Sequence, residues 1–200
     1  MSSESPRPTS GHSAVRSPQS ALRRSRLSPS LLRRARAIRL LVLDVDGILT
    51  DGRLLYSASG DEVKAFHILD GHGVKLVVKA GLSVALVTGR RSEMVVRRAH
   101  ELGIGLLFEG VEDKLAAFRE LLERTGLPAF QVAWMGDDLP DLPPMRQAGL
   151  AVSVPGGAAE VRAAAHYLTR RPGGGGAVRE AVELLLKAQG QWRTAVEGWR

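Results

Sequence analysis

A run of six residues at positions 38–43, Ile-Arg-Leu-Leu-Val-Leu, apolar but for one arginine, stops abruptly at Asp44-Val45-Asp46-Gly47. A short run of this kind reads as a strand buried on both faces, and an abrupt polar end reads as the edge of a sheet. Four more short runs follow, at 84–87, 106–108, 132–135 and 150–154, and stretches with helical spacing lie between them, at 92–102 and 114–124. Strands that alternate with helices predict a parallel sheet, because parallel neighbours need a crossover and a helix usually supplies it. The expected fold class is α/β, a Rossmann-like doubly wound parallel sheet. In such sheets ligands bind at the carboxyl ends of the strands. The residues found there are Asp44 and Asp46 after the first run, Thr88-Gly89-Arg90 after the second, and Gly136-Asp137-Asp138 after the fourth, with Lys114 opening the helix that follows the third.

These residue types in this arrangement point to phosphoryl transfer. A phosphate ester repels an anionic nucleophile, so a carboxylate such as Asp44 can attack only if a cation and positive side chains neutralise the phosphoryl oxygens. Magnesium (Mg2+) prefers oxygen ligands, and Asp44 and Asp137 supply two from different strand ends. Lys114 balances further charge, and the Thr88 hydroxyl donates to the phosphoryl oxygens in the transition state. Asp46 is placed to protonate the leaving oxygen and afterwards to activate water. Taken singly, each motif also reads as an acidic turn, a helix start or a solvated charge; it is their order along the chain that favours catalysis.

The segment Asp44-Val45-Asp46-Gly47-Ile48-Leu49-Thr50, with Thr88, Lys114 and Gly136-Asp137-Asp138 followed by Asp141, resembles the four motifs of the haloacid dehalogenase superfamily. The resemblance implies that Asp44 is nucleophile and metal ligand, that Asp46 is acid/base and binds the metal through its backbone carbonyl, and that Asp137 is a further ligand. Between Asp44 and Thr88 there is room for a hairpin, from 54–56 through 57–60 into 62–66, and for a helix at 73–79. No cap domain fits there, so cover for the site is expected from neighbouring subunits of a homo-oligomer.

From about 38 to 192 the chain resembles the capless branch of that superfamily, which includes tetrameric phosphatases of an eight-carbon sugar acid in lipopolysaccharide precursor synthesis. Asp51-Gly52-Arg53, the stretch 64–71, Thr88-Gly89-Arg90 and 173–180 carry this likeness. It implies a small phosphorylated sugar acid as substrate and a homotetramer. It also implies substrate contacts from Asp46, His67, Ile68, Leu69, Asp70, Gly71, Lys75, Arg90, Arg98 and Lys114. Arg90 and Arg98 suit the carboxylate and phosphate of such a molecule. His67 departs from the usual Asn of the branch, which leaves a nine-carbon sialic acid phosphate as an alternative substrate. A catalytically silent binding or assembly module is a second alternative, against which the intact acids and lysine count, and a nucleic-acid binder acting through the arginine-rich tail is a third.

Composition bounds the rest. The 200 residues, 44% hydrophobic, suffice for one well-buried domain, and without cysteine no thiolate chemistry is available, as in a reducing, cytoplasmic setting. The net charge of +7 is uneven: residues 1–39 hold nine arginines and one acid, Glu4, a charge of +8 that leaves −1 for the remainder. Residues 1–37 are therefore expected to be a disordered basic extension, 38–192 the phosphatase domain and 193–200 a tail. Aromatics make up only 4% of the chain, so no specific nucleic-acid partner is expected, and no apolar run is long enough for a membrane span.

Overall fold

The computed structural model describes residues 27–60 and 62–198. Six parallel strands form one sheet in the order β5-β4-β1-β6-β7-β8: β1 Leu40–Leu43, β4 Ser83–Val87, β5 Leu106–Phe108, β6 Val132–Met135, β7 Leu150–Ser153 and β8 Tyr167–Leu168. Two-residue strands, β2 Leu55–Tyr56 and β3 Glu62–Val63, pair antiparallel as a separate hairpin. The helices are α1 Pro29–Ala37, α2 Ile68–Lys79, α3 Glu93–Leu102, α4 Lys114–Thr125, α5 Leu142–Gln147, α6 Ala159–Ala164, α7 Ala177–Ala188 and α8 Trp192–Glu197. This is the expected doubly wound α/β fold with a hairpin flap and no inserted cap.

Every residue of β1 is buried, since the strand is central and covered on both faces. Alternation then divides the core in two. Leu41, Leu43, Leu86, Met135 and Val152 pack with α1, α2, α3 and α7 on one face, while Val42, Val87, Trp134 and Ala151 pack with α4, α5 and α6 on the other. A fully buried side chain of this size contributes about 2 kcal/mol, so these layers are the main stabilising term. The rings of Phe118 and Trp134 meet edge to face, with centroids 5.9 Å apart.

Chain order runs outward from β1 to β4 and β5, then returns across β1 to β6 and continues to β7 and β8. The connections after β1 and β6 therefore depart in opposite directions, and a crevice opens between their carboxyl ends. Register aligns those ends: Leu43 lies beside Leu86 and Met135, and the ladder runs one residue further through the Asp44 N–H to the Met135 carbonyl, 2.9 Å, and the Thr88 N–H to the Phe108 carbonyl, 2.9 Å.

Three expected boundaries change. Helix α1 occupies the last part of the stretch expected to be disordered, with Ser28 capping it, Pro29 opening it, and Leu31 and Ala35 buried on one face. Arg34 and Arg36 of that helix donate to the carbonyls of Gly149 (2.7 Å) and Ala188 (3.1 Å), so part of the arginine excess is structural. The remainder of the basic extension, residues 1–26, lies outside the described residues. Helix α2 starts at Ile68 rather than 73, because the His67 side chain caps the Leu69 N–H at 3.2 Å. The expected tail is mostly α8, whose Trp192 lies under Arg179 and Lys187 of α7. Among the described residues no helix is long and apolar enough to cross a membrane.

Candidate active site

The crevice is a cleft of about 370 Å³ lined by Asp44, Asp46, Thr88, Arg90, Lys114 and Asp137, together with Gly52, Gly89, Val111, Glu112, Asp138 and Pro140. Three strand ends and the start of α4 thus bring together the proposed nucleophile, acid/base, hydroxyl, lysine and metal ligand. Lys114 is the first residue of its helix because Asp113 caps the turn, accepting from the Leu115 and Ala116 N–H groups at 2.8 and 3.1 Å.

Lys114 Nζ lies 3.0 Å from Asp44 Oδ1 and 2.8 Å from Asp141 Oδ1, with all three side chains less than 10% exposed. Asp141 is fully buried and satisfied: Trp134 Nε1 donates to its Oδ1 at 3.0 Å, and the Asp137 and Asp138 N–H groups donate to its Oδ2 at 3.2 and 3.3 Å. Asp141 is the residue for which the sequence reading had no role. Its signal was its place one turn after Gly136-Asp137-Asp138, and the structure makes it the hub that ties β6, the turn after β6 and Lys114 together.

Carboxylates gathered in a dry site are not easily ionised. Burial pushes the Asp44 carboxyl up to about 7 even though Lys114 opposes the shift. Burial, and then the charge of Asp141, push Asp137 up to about 6. For Lys114, burial alone would lower the ammonium, but Asp44 and Asp141 outweigh it and hold it above the usual lysine range. Oxygens of Asp44, Asp137 and Asp141 all lie within 4.8 Å of one another. Asp137 Oδ1 is buried and accepts no hydrogen bond among the described residues. A dehydrated oxygen cluster with one unfilled acceptor is the donor set a hard divalent cation takes, so the residues present fit magnesium. Gly47 makes the approach possible. At φ +93°, a β-carbon there would sit 2.1 Å from Asp137 Oδ2.

The remaining predicted residues divide. Asp46 enters the cleft with its Oδ1 held by Lys64 of the hairpin at 2.5 Å, a contact that sequence reading missed. Arg90 reaches the rim, where it meets Glu62 at 3.2 Å and the Tyr56 hydroxyl at 3.4 Å. His67, Ile68, Leu69, Asp70, Gly71, Lys75 and Arg98 do not line the cleft of their own chain. Ile68 and Leu69 are exposed, and Lys75 lies on the outer face of α2. Arg98 packs against Gly71, over the Phe66 ring at 5.6 Å, and pairs with Glu101 at 3.1 Å. Asp70 turns inward within its own chain. It is 1% exposed, and its two oxygens accept from the Gly176 and Arg179 N–H groups at 3.1 and 2.7 Å, so it faces the start of α7. The glycine run at 173–176 backs the site loop from behind, with the Gly174 N–H donating to the Ile48 carbonyl at 2.9 Å.

No model of a known protein family matches the sequence. Relatives do. The chain is 44% identical over 163 residues to the 3-deoxy-D-manno-octulosonate 8-phosphate phosphatase of Yersinia pestis, an alignment that spans 82% of this chain and 87% of that one. Its fold matches the crystal structure of the phosphatase of the same name from Moraxella catarrhalis, which was solved in complex with magnesium, phosphate and KDO. The TM-score is 0.84 with 44% identity, covering 85% of this chain and 98% of that one. It also matches a haloacid dehalogenase superfamily hydrolase of subfamily III A from Legionella pneumophila, with a TM-score of 0.83 and 42% identity over 85% and 93% of the two chains.

Proposed function

Because the chain belongs to the 3-deoxy-D-manno-octulosonate 8-phosphate phosphatase family of the haloacid dehalogenase superfamily, we propose that it hydrolyses that sugar acid phosphate, with magnesium, to the free sugar acid and phosphate. The observation that carries the reading is the cleft itself: Asp44 at the end of β1, paired with Lys114 at 3.0 Å and grouped with Asp137 and Asp141.

Asp44 and Asp137 would hold the metal by their carboxylates and Asp46 by its backbone carbonyl. When bound, magnesium draws charge from the phosphoryl oxygens and favours the ionised form of the carboxylates around it. Asp44 attacks phosphorus, the bond from phosphorus to the sugar oxygen breaks, and Asp46 gives that oxygen a proton. The resulting aspartyl-phosphate is cleaved when Asp46 takes a proton from water and the hydroxide attacks phosphorus, which restores Asp44 and releases phosphate. Lys114 stays an ammonium throughout and opposes the build-up of negative charge. The Thr88 hydroxyl also accepts from the Arg90 N–H at 3.3 Å, which leaves its hydrogen for a phosphoryl oxygen.

We infer the assembly from the surface around the cleft. Leu54, Leu55, Tyr56 and Val63 of the hairpin, with Ile68 and Leu69 at the start of α2, are all at least 41% exposed. This apolar surface, and a cleft without a cap, support association with further copies, which we propose to be a homotetramer in which His67, Lys75 and Arg98 serve the cleft of a neighbouring copy.

The test is phosphate release from a panel of sugar acid phosphates, with magnesium, with a chelator, and with Asp44→Asn as the blank. Preference for 3-deoxy-D-manno-octulosonate 8-phosphate supports the reading. Magnesium-dependent preference for a nine-carbon acid phosphate moves the substrate, and no release from any member overturns the enzyme.

A further inference from the structure

We propose that Lys64 is the positioning residue for Asp46: it fixes one carboxylate oxygen so that the other exchanges the proton, an inference that rests on the phosphatase reading above. Lys64 follows β3 directly, and its side chain runs inward, 2% exposed, to place Nζ 2.5 Å from Asp46 Oδ1 and 3.3 Å from Glu62 Oε1. The Thr50 hydroxyl approaches the same Oδ1 at 3.5 Å. The Thr50 hydroxyl's one hydrogen also faces the Val45 carbonyl at 3.5 Å, so it is the Lys64 ammonium that holds Oδ1, while Oδ2 accepts no hydrogen bond among the described residues.

The second torsion of aspartate is broad, so an unrestrained carboxylate would present either oxygen to the cleft at a range of angles. An acid/base must return the same oxygen to the same place twice, first to the leaving oxygen and then to water. A misplacement of about 1 Å costs roughly 10²-fold. Nothing on the sheet itself restrains Asp46 in this way, because it stands two residues beyond Asp44 in a turn. The restraint comes from the hairpin, whose Glu62 holds Lys64 on one side and Arg90, at 3.2 Å, on the other. The flap is in this view part of the proton-transfer apparatus as well as a cover.

The full-length chain carrying Lys64→Met keeps the alkyl stem and removes the ammonium. The readout is kcat/KM, which reports the steps up to departure of the leaving group. A sugar alkoxide must be protonated as it leaves, whereas p-nitrophenolate leaves unaided. The expected result is a loss of about 10- to 100-fold on 3-deoxy-D-manno-octulosonate 8-phosphate and of less than about 3-fold on p-nitrophenyl phosphate, with partial recovery in Lys64→Arg. Equal losses on the two substrates, or none on either, overturn the proposal. If Lys64→Met does not fold, Glu62→Gln keeps the lysine and removes its second partner; it should show the same asymmetry to a smaller degree, and a symmetric loss overturns the proposal there too. A wild-type chain that fails on the octulosonate phosphate but cleaves another alkyl phosphate sinks the substrate assignment alone, and the same ratio is then read on that ester. Release from no ester overturns both.

Discussion

Glu180 and Asp137 are both acids drawn into the fold, yet their surroundings are opposite. Burial pushes each carboxyl upward. At Glu180 this is overcome by donors: the Tyr167 hydroxyl at 2.7 Å, the Arg170 N–H at 3.1 Å, the Arg171 N–H at 3.1 Å and Arg170 Nε at 3.2 Å, so the group ends below the usual carboxylate range. At Asp137 one oxygen is left unfilled and the carboxyl is pushed up to about 6, with Asp44 beside it at about 7. An acid whose oxygens are filled from within the chain fastens the structure. One that has been dried and left unfilled is held ready for a cation, at the expense of the fold that holds it.

Asp44→Asn breaks this comparison most sharply. Turnover should fall by about 10⁴-fold or more, as for loss of a covalent nucleophile. The metal-free variant at pH 8 should nevertheless match or exceed wild type in a urea melt, because a poorly tolerated buried anion has gone. Second in size is the pH dependence of the metal-free protein. Asp44 and Asp137 have folded-state values raised above 3.8, so the stability linked to them is complete below about 4 and is lost as pH rises through about 6 and about 7. The slope can approach 1.4 kcal/mol per unit for each group, and denaturant midpoints in chelator between pH 5 and 8 would read it. Glu180 has the opposite sign: its contribution is present above 4.5 and is lost as pH falls through its lowered value.

Magnesium gives the next effect. At about 100 times its dissociation constant it should stabilise wild type by about 2.7 kcal/mol, seen as a rise in melting temperature, and should do much less for Asp137→Asn. The smallest effect sharpens the other side of the comparison. Glu180→Gln removes the charge behind several hydrogen bonds and should cost about 1–2 kcal/mol in stability, while kcat measured below the melting point stays within about twofold. A large fall in kcat at unchanged stability would mean that this seam, too, belongs to the site.

What sequence reading reached and what it missed follow one physical line. Asp44, Thr88, Lys114 and Asp137 were legible because each stands at a strand end or helix start, and in a parallel sheet those positions converge whatever the side chains between them. Lys64 meeting Asp46 was not legible, because the contact crosses a hairpin whose bend no periodicity records. Helix α1 was hidden by its composition: the arginines around Leu31 and Ala35 mask a spacing of four that places both on one face. The inward turn of Asp70 was also beyond reach, since its partners, the Gly176 and Arg179 N–H groups, lie more than a hundred residues away. Long-range partners of single polar groups are what local pattern cannot encode.

The glycine run also determines where this chain can change over generations. A β-carbon at Gly173 would stand 1.7 Å from the Gly47 carbonyl oxygen, and one at Gly174 would stand 2.5 Å from the Asp51 nitrogen. Both collisions are with backbone of the loop that carries Asp46, so no rotamer change can relieve them, and a lineage that drifts at these positions must move Asp46 as well. Gly105, ahead of β5, meets nothing within 4 Å, and alanine there should be accepted at no loss. Two glycines that look alike in a sequence thus differ in what they permit: one is free to vary, and the other ties the far end of the chain to the inheritance of its first loop.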